Sequence, residues 1–414
     1  MDHGGGGGGK GDSLRLFYVA CPTSLRLQSA NAIQTWTTLR ELRRARPDTV
    51  AVVPRWPGEP TRFGEVGARH LPRPAVGKLS RLHRSTLWYY AERSIFAFMS
   101  AAAALVEGLR GRWPSVVYVR DAVAAYWWAT TLGPALAVPV IYEAHDLEST
   151  NPSRARERWA EGLVRALDRG ALQESTLVVS LTEDFRQMLA LRKLRDLREI
   201  EVIPDAFDDE VFRPGDREEA RRALGLSPTG ALVVYAGMTF AYRGLDRLIS
   251  AFAAVRERHP EAVLALVGGQ ASERAALATQ ARERGLEEAV RVVGSLPQDQ
   301  VRLWLQAADV LTIPDTVTDV SASPLKLFEY LAMERVVILP DIPALREVLP
   351  ESVGYYFRRG DEESLSRALL AALGDPLRTS RERAGREAVA PHTYAARAAR
   401  VLAAAGRARA LHGG

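Results

Sequence analysis

In the stretch SASPLKLFEYLAME (321–334), Ser323 and Pro324 mark a helix entry, an N-cap followed by proline at the first helical position. Lys326 then places a cation in the first turn, where the helix dipole is positive and a carboxylate would be preferred. An anion bound at this helix start would turn that repulsion into attraction, and backbone N–H groups there already favour phosphate. Glu329, three residues on, shares the helix face with Lys326 and can accept hydrogen bonds from ribose hydroxyls. One helix face could therefore read phosphate and then ribose. The bland alternative is a surface Lys–Glu pair worth about 0.3 kcal/mol, which leaves the first-turn lysine unexplained.

A second cation has similar surroundings. In VVYAGMTFAYRGLDRLISAF (233–252) a strand ends at Gly237, and Arg243-Gly244 introduces a helix after a loop. Arg243 could reach a diphosphate bidentately, with Gly244 allowing close backbone approach. Neither segment has the G-x-G-x-x-G dinucleotide fingerprint or a P-loop, which argues against the usual nicotinamide or ATP chemistry.

These residues need elements to carry them. Short β-branched runs alternate with amphipathic stretches: strands are predicted at 14–20, 49–54, 115–120, 139–144 and 176–181, with a capped helix at 29–45. The pattern resets across 205–230, which is rich in proline, glycine and charge and reads as a linker. Strands at 231–237, 262–269, 290–296, 308–314 and 335–340 follow, with helices between them. The predicted fold is α/β: two Rossmann-like, doubly wound domains facing across a cleft. The expected boundaries are a Gly-rich tail at 1–12, one domain at 13–204, a second at 205–385 and a returning C-terminal helix at 386–414.

Composition narrows the class further. Of 414 residues, 47% are hydrophobic and 25% charged, as in ordinary globular proteins. The net charge of +5 divides into +8 over residues 1–200 and −3 over 201–414. The basic 40–84 region, with the aromatic segment from Trp88, suggests an anionic acceptor or peripheral membrane contact through 40–98. The alternatives are arginine-solvated surface for the first and a buried core helix for the uncharged run Ser94–Val106. Scattered basic residues without a binding motif argue against nucleic acid. One cysteine, Cys21, excludes an intrachain disulfide and a Cys-based zinc cluster. No signal-peptide pattern is present, so a cytoplasmic protein, peripheral on the inner membrane face in the second reading, is expected. Asp208-Asp209 has the look of a metal pair but reads as solvated linker, and no metal site is expected.

The ordered segments YAG…RGLDRLI, LALVGG, VRVVGSLPQDQV, ADVLTIP, SPLKLFEYLA and PDIPALREVL resemble the donor-binding domain of GT-B glycosyltransferases of the family 4 type. SANAIQTWTTLREL, VVYVRDAVAA and PVIYEAHDLE resemble the acceptor domain of the same family, so the likeness spans about residues 14–390. It implies a nucleotide-sugar co-substrate, UDP-linked rather than GDP-linked, no cofactor or metal, and transfer with retention to a small-molecule, glycan or lipid-linked acceptor. Carried onto this chain, it implies that Glu329 binds ribose and Arg243 stands for the usual lysine. Lys326, Ser323, Pro324 and Leu325 would hold phosphates and sugar beside Gly237, with Gly294, Ser295 and Leu296 at the nucleobase. His145 and Asp146 match a polar pair facing the sugar. Ser29, Asn31, Arg120 and Asp121, at strand or loop ends, are expected to line the acceptor or sugar cleft, loop capping being their other reading. Two departures stand out: Ser321 replaces the first glutamate of E-x7-E, and Met238 replaces an expected arginine. A nucleotide-sugar 2-epimerase or a non-catalytic GT-B-fold binding protein are the alternatives.

Overall fold

The computed structural model describes residues 14–27, 29–73, 86–150, 159–316 and 325–413. These form two compact units. One runs to Val179 and adds Lys193–Glu201 and the chain from Ala398; the other comprises Ser180–Arg192 and Val202–Arg397.

The first unit is built on β1 (Leu16–Val19), α1 (Ala30–Ala45), β2 (Val50–Arg55), β3 (Arg69–Pro72), α2 (Thr86–Leu109), β4 (Val116–Val119), α3 (Ala122–Trp127), β5 (Val140–Ala144), α4 (Glu161–Glu174) and β6 (Leu177–Ser180). After α5 (Glu183–Leu191), which belongs to the second unit, β7 (Ile200–Val202) completes the sheet. The strand order is β3-β2-β1-β4-β5-β6-β7, with β3 through β5 paired in parallel. β1, β4 and β5 are buried at every residue, which explains their near-continuous apolar sequence.

The second unit contains α6 (Arg217–Ala223), β8 (Leu232–Ala236), α7 (Leu245–Arg258), β9 (Val263–Val267), α8 (Ala271–Glu283), β10 (Val290–Val293), α9 (Gln298–Ala307), β11 (Val310–Thr312), α10 (Leu325–Ala332), β12 (Val336–Pro340), β13 (Tyr355–Phe357), α11 (Glu362–Gly374) and α12 (Arg378–Val389). Its parallel sheet has the order β10-β9-β8-β11-β12-β13. Successive side chains divide between its two cores: Leu232, Val234 and Ala236 enter one, Val233 and Tyr235 the other. The order reverses between β1 and β4 in the first sheet and between β8 and β11 in the second. Such switch points leave a crevice beyond the strand carboxyl ends. A final helix, α13 (Tyr394–Gly413), has its residues from Ala398 in the first unit, where Arg407 pairs with Glu201 at 2.8 Å.

The structure corrects three expectations. The short strands β3, β7 and β13 were not predicted; RHLP and IEV lack the β-branched runs used to find strands. The 205–230 segment is no loose linker, because Phe207, Phe212 and Ala220 are buried in the core with β8 and β11. Asp208 in that segment is buried and accepts from the Glu210 backbone at 3.1 Å, whereas Asp209 is exposed. The apolar run in α2 is not a wholly buried helix either, since Ile95, Phe98, Leu105 and Val106 lie at the surface. No helix among the described residues is long and apolar enough to cross a membrane.

Arg221 fastens 217–230 to the sheet. Its guanidinium donates to the carbonyls of Ala307, Pro228 and Gly230 and to Asp309 at 2.5 Å, and Asp309 also accepts from the Leu232 N–H at 2.8 Å. Replacing Asp309 by alanine leaves a buried guanidinium without its counter-charge. We expect a loss of about 3–5 kcal/mol in urea unfolding of the second unit; a loss under 1 kcal/mol would mean that Arg221 needs no carboxylate.

Candidate functional site

At the switch point of the second sheet, β8 ends and Gly237 follows with φ 148°. The Lys326 ammonium lies directly over it: a Cβ at 237 would sit 2.5 Å from Nζ. Nζ donates to the Tyr235 hydroxyl at 3.1 Å and lies 4.4 Å from that ring's centroid. Tyr330, one turn along α10, fixes the distance between helix and strand. Its hydroxyl accepts from the Ala236 N–H at 2.8 Å and donates to the Ala236 carbonyl at 3.0 Å. Gly268, at the end of β9, packs against the same turn, where a Cβ would meet the Gly237 carbonyl at 2.1 Å.

The electrostatics follow from this packing. Burial pushes the Lys326 amine well below the ordinary lysine range, and the Arg243 charge pushes it further, with Glu329 opposing both. Burial raises Glu329 to about 7; Lys326 pulls against this, while Asp205 and Asp208 add to it. The sequence assigned Lys326 and Glu329 to one helix face, and the structure places them there with Arg243 close enough to repel the lysine.

Arg243 closes a single turn, Ala241–Arg243, before Gly244 (φ 66°, ψ 27°) opens α7. Its guanidinium lies 5.1 Å from the Tyr242 ring centroid, and its buried Nε has no hydrogen-bond partner among the described residues. Asp315, beyond β11, accepts from Arg247 at 2.6 Å and from Arg359 at 2.7 Å, so both neighbouring arginines are already paired. Beyond β10, Gly294 rests against the Arg274 guanidinium, the Ser295 hydroxyl donates to the Gly269 carbonyl at 3.2 Å, and Leu296 packs on the core. Leu325, the first residue of α10, is buried. Ser321, Ser323 and Pro324 lie outside the described residues.

In the first unit, β4 and β5 deliver a buried polar cluster. Arg120, with a side chain 1% exposed, donates to Glu143 at 2.9 Å, to Thr35 at 2.5 Å and to Gln34. His145 Nε2 lies 2.7 Å from Glu143 and 3.1 Å from an Arg120 nitrogen, and the Tyr118 hydroxyl donates to Glu143. Arg120 therefore lines no open surface. It holds Glu143 and His145 in place, contrary to the expectation of a cleft-lining group. Asp121 likewise caps α3 through the Ala124 N–H at 3.0 Å and pairs with Arg93 at 2.7 Å. Ser29 caps α1 and bonds Thr23, whose N–H donates to Asn31. Asp146 accepts from the Leu147 N–H at 2.8 Å. Of these side chains, His145 is the one placed by the cluster yet 29% exposed.

Sequence reasoning missed Tyr235, Tyr330 and Glu143. Nothing in the sequence singled out the two tyrosines. Glu143 carried a signal, since a carboxylate inside the apolar strand VIYEA requires a buried partner.

Comparison with known proteins places these sites in a family. Residues 216–389 match the model for glycosyl transferases group 1, and residues 32–211 match that for glycosyltransferase family 4. The chain belongs to the GT-B glycosyltransferases of the family 4 type. It is 30% identical over 198 residues to a D-inositol 3-phosphate glycosyltransferase of Segniliparus rotundus, covering 46% of this chain and 44% of that protein. It is 28% identical over 236 residues to a 2-deoxystreptamine glucosyltransferase of Streptomyces kanamyceticus, covering 55% and 60%. The chain thus spans about half the length of the curated relatives it matches. Among solved structures, sucrose-phosphate synthase from Thermosynechococcus elongatus superposes with a TM-score of 0.75 at 18% identity, over 94% of this chain and 98% of that one. Anabaena HepE in complex with UDP gives 0.70 at 15% identity, over 94% and 98%.

Glu329 holds its proton more tightly folded than unfolded. Its contribution to stability is complete below about pH 4.5 and lost as the pH rises through about 7. The wild type should lose up to about 3 kcal/mol over that interval that Glu329→Gln does not lose. Denaturant titrations of both proteins across the interval check this; parallel curves would remove the raised carboxyl from the account.

Proposed function

We propose that this chain transfers a sugar from a nucleotide-sugar donor, UDP-linked rather than GDP-linked, to an acceptor hydroxyl with retention of configuration and without a catalytic metal. The observation that carries the reading is the crowding of Lys326 and Arg243 at the β8–β11 switch point. Two cations that repel each other in a partly desolvated site are stabilised when an anion arrives between them. The β- and α-phosphates of a nucleoside diphosphate are such an anion, and their charge grows as the sugar–phosphate bond breaks. Glu329, ionised in that complex, accepts from the ribose hydroxyls. The leaving phosphate takes the proton of the attacking acceptor hydroxyl, so no separate nucleophile is required. Glu143 and Arg120 hold His145 in one orientation for a sugar hydroxyl. Support for UDP comes from HepE, whose solved complexes contain UDP and UDP-glucose. Support for a small polyhydroxylated ring as acceptor comes from the inositol phosphate and deoxystreptamine named for the two relatives.

The reading predicts a proton balance. Above about pH 7 Glu329 is ionised, whereas burial and the Arg243 charge hold the Lys326 amine well below the ordinary lysine range, a shift that a bound diphosphate opposes. Binding UDP therefore raises the lysine's proton affinity, so calorimetry in buffers of different ionisation enthalpy, repeated over a series of alkaline pH values, should show proton uptake that is absent in Lys326→Met. Binding without uptake, or with equal uptake in the variant, would assign the phosphates elsewhere.

Kinetics separate the two side chains. Lys326→Ala should lower kcat by about 10²–10³, the scale of one lost group stabilising developing charge. Glu329→Gln should act chiefly on donor KM, by roughly 1.5–3 kcal/mol for charge-assisted bonds formed in both ground and transition states. Activity should survive EDTA. Donor consumption without any acceptor would instead indicate an epimerase, and binding without turnover a carrier of the fold alone.

A further inference from the structure

We infer that the outer face of α2 is a self-association surface through which two copies of this chain pair antiparallel, about a two-fold axis at Phe98. The helix is apolar around most of its circumference. Phe96, Ala97, Ala101 and Ala104 are buried on its inner side, and on that side Ser100 and Ser94 accept from the indoles of Trp128 and Trp127 at 2.8 and 2.7 Å. Such a helix is stable when both faces are covered. The outer face is not: Leu87, Ala91, Ile95, Phe98, Ala102, Leu105 and Leu109 all lie at the surface, with Leu109 88% and Leu87 66% exposed.

The pattern of that face selects its occupant. Ala91, Ile95, Phe98, Ala102, Leu105 and Leu109 advance by four, three, four, three and four residues, the 3.5-residue period of a two-helix seam, with exposed Val106 flanking it. Placed antiparallel about Phe98, Ile95 of one copy faces Ala102 of the other, Ala91 faces Leu105, and Leu87 faces Leu109. Large thus meets small in the two layers next to the Phe98 pair, as interdigitating layers require, and leucine meets leucine at the two ends. A lipid-surface helix instead carries lysine and arginine along its polar border. The one basic residue of α2 is Arg93, and it is engaged with Asp121 at 2.7 Å and stacked on Tyr89. Glu92 and Glu107 are likewise held by Arg73 and Arg69, so no charge interrupts the stripe. Leu87, Ile95, Phe98, Leu105, Val106 and Leu109 are each 40% exposed or more, which makes the stripe a contiguous apolar patch on the order of a few hundred Å², the size at which such patches mark interaction sites.

Light scattering of the full-length protein at micromolar concentration should give the mass of a dimer. Phe98→Glu and Leu105→Glu should give a folded monomer with the far-UV circular dichroism of the wild type. Because Cys21 is the only native cysteine and Phe98 lies on the axis, Phe98→Cys should form a disulfide-linked dimer on mild oxidation, while Leu163→Cys, exposed on α4, should not. A wild-type monomer at all concentrations, or a dimer that survives both charged variants and fails to cross-link at 98, would overturn the inference. Sedimentation of a monomeric wild type with phosphatidylglycerol vesicles, lost in Leu105→Glu, would overturn it in favour of a lipid surface.

Discussion

The second unit depends on one close contact, the ammonium of Lys326 laid over the Cα of Gly237. It dictates glycine at the end of β8, because any side chain would occupy the space of Nζ. It requires α10 to sit at a fixed height above the sheet, which the two Tyr330 bonds to Ala236 impose. It also places a cation where burial and Arg243 both disfavour its charge. Local physics would not select such an arrangement for stability; a neutral side chain would pack there at lower cost. Strain of this kind persists where the surrounding structure overdetermines it, and here two strands, one helix and two tyrosines do so.

The first unit handles buried charge in the opposite way. Arg120, Glu143, Gln34, Thr35 and Tyr118 bond one another, and the guanidinium is buried among them with its charge balanced by Glu143. A saturated network of this type positions a neighbour, in this case His145. Lys326 with Arg243 and its unpartnered Nε is by contrast a pair of cations without a counter-charge of this kind, which is why the proposed donor phosphates are assigned there. The two units share an architecture but differ in whether their buried charges balance, and the proposed anion site follows from this difference.

Much of this was legible in sequence because it rests on local rules. Fully buried parallel strands require unbroken apolar runs, so β1, β4, β5, β8, β9 and β12 were found near their true limits. Lys326 was found because it violates the dipole preference of a first turn. The losses came from long-range effects. Whether Arg120 faces a ligand or Glu143 depends on strands 23 residues apart in sequence. Asp208 read as solvated because proline and glycine surround it, yet Phe207 and Phe212 draw that segment into the core. The edge strands β3 and β13 are too short for a periodicity argument, and only pairing with β2 and β12 makes them strands.

The features that local rules handled least well coincide with the functional assignments. A sequence that specifies one structure has its propensities, patterning and charge in agreement, and disagreement costs stability that selection removes unless something is gained. Lys326 disagrees with its helix dipole, and an anion resolves the conflict. Glu143 disagrees with an apolar strand, and Arg120 with His145 resolves it. The outer face of α2 disagrees with water, and nothing else described in the chain covers it. The first two conflicts each lie within a single unit, and the first is resolved there by the proposed anion. The third ends only when a second apolar surface of matching period is supplied, and the chain itself carries one such surface per copy.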